Sequence, residues 1–280
     1  MPRRPPPTRN RYDDFGQAAK EFGAAARDTV TSLDVEWAHR PPVTYVREGF
    51  LRFILDPIMT IYTRRKVEGT ENLRGLSGPI IFVANHASHM DTPAILRALP
   101  RRWRRRTVVA AAADYFYRSR FLALAVSVLF NTVPIDRRSG RNGNGAKTMT
   151  PIDRMLARGN SLLLFPEGTR NRTGAVGRLR LGAAKMATRH HAKIVPIYIH
   201  GSGAPLPPGR FLPRRRHRGL DPRRHIVTIT IGKPIDPGGE DRVVAVTERI
   251  AGFFEQARVR QQAVQNGERL KAARRRIARR

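Results

Sequence analysis

Pro79-Ile80-Ile81-Phe82-Val83-Ala84-Asn85-His86-Ala87-Ser88-His89-Met90-Asp91-Thr92-Pro93 opens as an unbroken apolar run and closes on a helix-start signal. The run Ile80 to Ala84 has the length and continuity of a strand buried on both faces. It delivers Asn85 and His86 to its carboxyl end, and Thr92-Pro93 begins a helical pattern just after Asp91. In one continuous helix, residues five apart point about 140° apart, so His86 and Asp91 could not meet there. A strand, a turn and a helix start let them. The Asp91 carboxylate then accepts from one imidazole nitrogen and leaves the other open to take a proton from a hydroxyl. An Asp at a helix start also serves as an ordinary cap, so this stretch alone does not decide the chemistry.

Three further stretches follow in order: Val133-Pro134-Ile135-Asp136-Arg137, Leu164-Phe165-Pro166-Glu167-Gly168-Thr169-Arg170 and Ile194-Val195-Pro196-Ile197-Tyr198-Ile199-His200-Gly201. Together the four resemble the block signature of the 1-acylglycerol-3-phosphate acyltransferase family, with N-H-x-x-x-x-D first and F-P-E-G-T-R third. The resemblance runs from about Val67 to Pro234. It implies direct attack of an acceptor hydroxyl on an acyl thioester, with His86 as base and Asp91 as its orienter. His89 is a competing base, but only His86 has the family's spacing to Asp91. The resemblance also places Asn85, Ser88, Arg137, Glu167, Gly168, Thr169 and Arg170 at the substrate. Arg137 and Arg170 supply planar, permanently charged forks for a phosphate ester. Glu167 would accept from glycerol hydroxyls, and Gly168 lets the backbone approach closely.

Two positions depart from the usual pattern: Asn131 stands where the second block often has Gly, and Asn171 follows Arg170 where Ser is commoner. Pro196 reads as structural, shaping a strand entrance. No metal site is expected, because His190-His191 reads as a surface pair lacking a nearby carboxylate. No cofactor is implied; acyl-CoA or acyl-carrier protein serves as co-substrate, and the product of the leading reading is phosphatidic acid. Glycerol-3-phosphate, another lysophospholipid or a glycolipid are alternative acceptors.

Composition narrows the partners. The chain has 280 residues, 40% of them hydrophobic, and a formal charge of +31. Such a charge calls for a polyanionic partner, nucleic acid or an anionic membrane. Charge alone fits nucleic acid, yet no helix-turn-helix or RNA-binding signature is present. Cysteine is absent, which excludes disulfides and thiolate catalysis. The basic, proline-rich residues Met1 to Arg11 lack a following apolar region, so a secretory signal is not expected. The mostly apolar stretch Phe121 to Phe130, broken only by Ser127, falls short of the ~20 residues that cross a bilayer. A peripheral protein on the cytoplasmic face of the cell membrane is the expectation.

The chain divides into a basic, partly disordered arm (1–42), an amphipathic helical segment (43–66), a catalytic domain (67–260) and a polybasic tail (261–280). In the second of these Glu48, Arg52, Asp56 and Thr60 recur every four residues as a polar stripe beside Phe50, Leu51, Phe53, Ile54, Ile58 and Ile61. Pro57 suggests two short helices. The segment is either a helix packed on the core or a platform in the membrane interface, and Arg64-Arg65-Lys66 would close it. Trp103, set among Arg101, Arg102, Arg104, Arg105 and Arg106, reads as a solvated or headgroup-facing surface. Strands are expected at 107–113, 161–165, 194–199 and 225–231, alternating with helices at 150–158, 182–190 and 243–260. Strands alternating with helices, with chemistry at strand ends, argue an α/β fold. The resemblance implies the same: a mixed, mostly parallel sheet covered by helices.

Overall fold

The computed structural model describes residues 41–112, 129–135, 150–168, 175–204 and 224–277. Arg137, Thr169, Arg170 and Asn171 lie outside them, as do residues 1–40 of the N-terminal arm, all but the last two residues of Phe121 to Phe130, and the basic stretch 205–223.

Seven strands form one sheet: β1 (Thr63–Glu68), β2 (Ile80–Ala84), β3 (Thr107–Ala112), β4 (Thr132–Ile135), β5 (Ser161–Leu164), β6 (Lys193–His200) and β7 (His225–Ile231). Their order is β1-β7-β6-β2-β5-β3-β4. β6, β2, β5, β3 and β4 run parallel. β7 runs against β6, and β1 is parallel to β7. The fold is therefore α/β with a mixed, mostly parallel sheet, as expected.

Alternation along β2 builds a core on each face. Ile80, Phe82 and Ala84 point to one core, completed by α3 (Asp91–Ala98), by Leu99 and by Trp103 of α4 (Arg101–Arg106). Ile81 and Val83 point to the other, under α5 (Pro151–Ala157), α6 (Gly182–Arg189) and α7 (Val243–Ile277). Burial on both faces explains why the central strands read as continuous apolar runs.

Several local expectations change. The helical segment is continuous: α1 (Pro41–Gly49), a π-helical stretch (Phe50–Leu55) and α2 (Asp56–Tyr62). The wider turn, in which Asp56 N–H donates to Leu51 O, lets the chain pass into Pro57, which has no donor to lose, without breaking. The helix ends at Tyr62, so Arg64-Arg65-Lys66 belong to edge strand β1, where exposed charges protect an open edge. Trp103 is buried edge-on against Phe82 and is no headgroup contact. Arg102 lies over its ring, 5.0 Å from the centroid. Pro196 lies mid-strand, where β7 pairing gives way at Gly232 to Pro234, so its missing N–H interrupts no ladder. α7 continues through Ile277, so residues from 261 onward extend the last helix.

Of the polar stripe, Glu48 and Asp56 turn toward partners on the protein, whereas Arg52 and Thr60 are exposed. Glu48 takes a fork from Arg104 at 2.7 and 2.8 Å. Asp56 receives Arg97 at 2.8 Å and Arg65 at 3.1 Å. Burial works against the Glu48 carboxylate, yet the Arg104 hydrogen bond and charge outweigh it and hold its pKa below the usual range. Leu51 and Met59 anchor the same helices in the core. Tyr45, Val46, Phe53, Ile54, Ile58 and Ile61 are left exposed, Phe53 by 73%.

Candidate active site

β2 ends at Ala84 beside β5 and β6, and the loop after it turns back on one carboxylate. Asp91 is fully buried at the first turn of α3. Its Oδ2 accepts from His86 Nδ1 at 2.8 Å, Ala87 N–H at 2.6 Å and Ser88 N–H at 2.8 Å. The strand, turn and helix start thus bring His86 and Asp91 together. This contact sets the proton on Nδ1 and leaves Nε2 as the acceptor. The His86 side chain is 22% exposed. One face of the imidazole stacks on Phe165, with centroids 4.2 Å apart and planes 24° apart.

The third block meets the first through its backbone as well. Glu167 Oε1 accepts from His86 N–H at 3.1 Å, and Oε2 accepts from Gly177 N–H at 3.3 Å. Gly168 has φ +72°, and a Cβ there would come within 2.9 Å of the Arg180 guanidinium. Only glycine satisfies both demands comfortably.

Two residues expected at the substrate are engaged with the protein itself. The Asn85 amide holds Ile199 by both ends, Nδ2 to its carbonyl at 3.0 Å and Oδ1 from its N–H at 2.7 Å. This clasp extends the β2–β6 pairing one step beyond the strand. Ser88 is fully buried, and its Oγ accepts from Met90 N–H at 3.2 Å within the turn.

Asn131 shows why its departure from glycine is tolerable. It has φ +56°, a region Asn enters more readily than other side chains, and its amide donates to Thr107 O at 2.9 Å. His190 corrects an expectation: it has a carboxylate, with Nε2 2.7 Å from Asp153 Oδ1. Asp153 also forms the capping box of α5 with Thr150, so the pair joins two helices. His191 is exposed. Among the described residues no cluster of three metal-ligating side chains occurs.

Phe165 and Gly177 are the contributors not singled out by residue type. Phe165 lies at the end of the apolar strand run that leads into Pro166-Glu167-Gly168, where an aromatic at a site's rim is a usable signal. A lone glycine ten residues on gave none.

Residues 64–200 match the Acyltransferase family model. The chain is 28% identical over 167 residues to a chloroplastic 1-acyl-sn-glycerol-3-phosphate acyltransferase of Arabidopsis thaliana, 58% of this chain and 44% of that one. The chain is thus similar to glycerolipid acyltransferases, at low sequence identity. The human 1-acyl-sn-glycerol-3-phosphate acyltransferase alpha is 29% identical over 151 residues, 53% of this chain and 50% of that one. The chain thus spans about half the length, or less, of these relatives. The crystal structure of the 1-acyl-sn-glycerophosphate acyltransferase from Thermotoga maritima superposes with a TM-score of 0.53 at 22% identity. That superposition covers 84% of this chain and 88% of the other, and it establishes the shared fold.

Proposed function

We propose that this protein is an O-acyltransferase that moves a fatty acyl group from an acyl thioester to the free hydroxyl of 1-acylglycerol-3-phosphate, giving phosphatidic acid. The observation that carries the reading is the 2.8 Å contact between His86 Nδ1 and Asp91 Oδ2 at the carboxyl end of a central strand. His86 Nε2 takes the hydroxyl proton as the oxygen bonds to the thioester carbonyl carbon. The buried Asp91 carboxylate stabilises the imidazolium that forms. The tetrahedral intermediate then expels the thiolate, which receives the proton from His86. No acyl-enzyme is needed. The donor is acyl-CoA or acyl-carrier protein.

Arg137, Thr169 and Arg170 are assigned to the acceptor by their match to the second and third blocks, the two arginines to its phosphate. Asn85 and Ser88 are assigned to holding the loop, since the polar groups of both meet protein partners.

The reaction is assigned to an anionic membrane surface on its cytoplasmic side, with the protein peripheral. Among the described residues no helix is long and apolar enough to cross a membrane. The outward face of α1, the π-helical stretch and α2 supports surface attachment, because it exposes Phe53, Ile54, Ile58 and Ile61 beside Arg52. The test is lipid mass analysis after incubation with acyl-CoA or acyl-carrier protein and a panel of acceptors. Lysophosphatidic acid should be consumed first. Preferential acylation of glycerol-3-phosphate, of another lysophospholipid or of a glycolipid would reassign the acceptor.

A further inference from the structure

In the family resemblance Glu167 reads as a ligand for acceptor hydroxyls. Its carboxylate also spans two main-chain donors, His86 N–H at 3.1 Å and Gly177 N–H at 3.3 Å. His86 is the residue whose ring must be held between Asp91 and Phe165. Gly177 belongs to a strap that returns to the third block a second time, where Arg180 N–H donates to Pro166 O at 3.0 Å.

Gly177 is also sterically tied to Glu167. A Cβ on residue 177 would lie 2.9 Å from Glu167 Oε2, and the other two close atoms, at 3.6 Å, are Glu167 carbons as well. The glycine has no left-handed backbone that would require it for conformational reasons. Its small size therefore leaves room for its nearest neighbour, the carboxylate.

We propose that Glu167 is a positioning residue and Gly177 its partner: the carboxylate pins the backbone of His86 and the strap at 175–180 to one point, and so fixes the imidazole against Asp91 and Phe165. The inference rests on the reading of His86 as the base. It assigns Glu167 to turnover and not to acceptor affinity, and it gives Gly177 a role in the reaction without contact to substrate.

The two assignments separate in kinetics. Glu167→Ala and Gly177→Ala should each lower kcat about tenfold or more while the acceptor KM stays within about twofold. Once the carboxylate is gone, a methyl at 177 loses its three nearest contacts, so the double variant should be no worse than Glu167→Ala alone. Glu167→Gln, which keeps the size and loses one acceptor, carries the same comparison if Glu167→Ala does not fold. A raised acceptor KM with kcat preserved, a silent Gly177→Ala, or losses that multiply in the double variant would overturn the proposal. Amide hydrogen exchange at His86 and Gly177 needs no turnover: both should lose protection in Glu167→Ala. If protection is lost while wild type acylates no acceptor, the pin stands and the acyltransferase reading fails. If protection is kept, the pin fails whatever the activity.

Discussion

The His86 Nδ1 atom lies 2.8 Å from Asp91 Oδ2, and the same oxygen also accepts the Ala87 and Ser88 amides. One carboxylate thus shapes the loop and sets the imidazole tautomer. If His86 is the base, as proposed, His86→Ala should cut acyl transfer by about 10² to 10⁴-fold while leaving the thermal midpoint nearly unchanged. His89→Ala should retain most activity. Asp91→Asn can keep one oxygen on the three donors, so the loop should hold while the charge that stabilises the imidazolium is lost. Its signature is a lower kcat in an otherwise folded protein, checked by circular dichroism beside the assay. A lethal His89→Ala with a mild His86→Ala would assign the base to the wrong histidine.

The central strands were legible because a parallel sheet covered on both faces demands continuous apolar runs, and Ile80 to Ala84 is one. The His86–Asp91 pair was legible from the strand, turn and helix start together with the family's spacing, which chose His86 over His89. β1 was not, because an edge strand such as Thr63–Glu68 is protected by charge and lacks an apolar pattern. The polar stripe at Glu48 and Asp56 was visible, but its direction was not: periodicity shows that a helix has two faces, and the partners decide which is buried. Here those partners, Arg104 and Arg97, lie far along the chain. The same holds for His190, whose carboxylate partner Asp153 is 37 residues away in sequence.

Membrane attachment gives a second prediction. Phe53 and Ile58 are 73% and 43% exposed, so replacing both with Ser should cost the fold little. If they enter the lipid interface, each buried apolar side chain contributes up to about 1.5 to 3 kcal/mol, and losing both should weaken vesicle partitioning by tenfold or more. Co-sedimentation with anionic vesicles reads this directly. High salt should release part of the wild-type protein without detergent, since it screens the contribution of ~1 kcal/mol per basic residue near the surface. Unchanged sedimentation of the double variant would remove the apolar face from the attachment.

His200 supplies a pH dependence. It sits at the end of β6 with Nε2 2.6 Å from the Gln265 amide, and burial holds its pKa below the ordinary histidine value, with Gln265 opposing the shift in part. The unfolded chain therefore takes up a proton that the folded chain resists. The sign follows from linkage: stability falls as pH drops below about 6.5, until the folded histidine also protonates. His200→Gln should flatten the decline of thermal midpoint between pH 7 and 5. An equally steep decline in the variant would locate the titration elsewhere.

The last prediction concerns acceptor choice and rests on Arg137 and Arg170. If both grip the acceptor phosphate, Gln at either position should raise the KM for lysophosphatidic acid about tenfold or more. A charge-assisted hydrogen bond contributes about 1.5 to 3 kcal/mol, and a tenfold effect needs about 1.4. Lys should rescue only in part, because it restores charge without the planar fork. CoA also carries phosphates, so donor and acceptor must be titrated separately, and the donor KM should move little. The decisive comparison uses a lysolipid that lacks the phosphate. Wild type should discriminate against it strongly, and both Gln variants should lose that discrimination while accepting the phosphate-free lipid no worse than before. If wild type acylates the phosphate-free acceptor as fast as lysophosphatidic acid, the two arginines do not read an acceptor phosphate. The hydroxyl deprotonated in the proposed reaction would then belong to a different lysolipid or to a glycolipid.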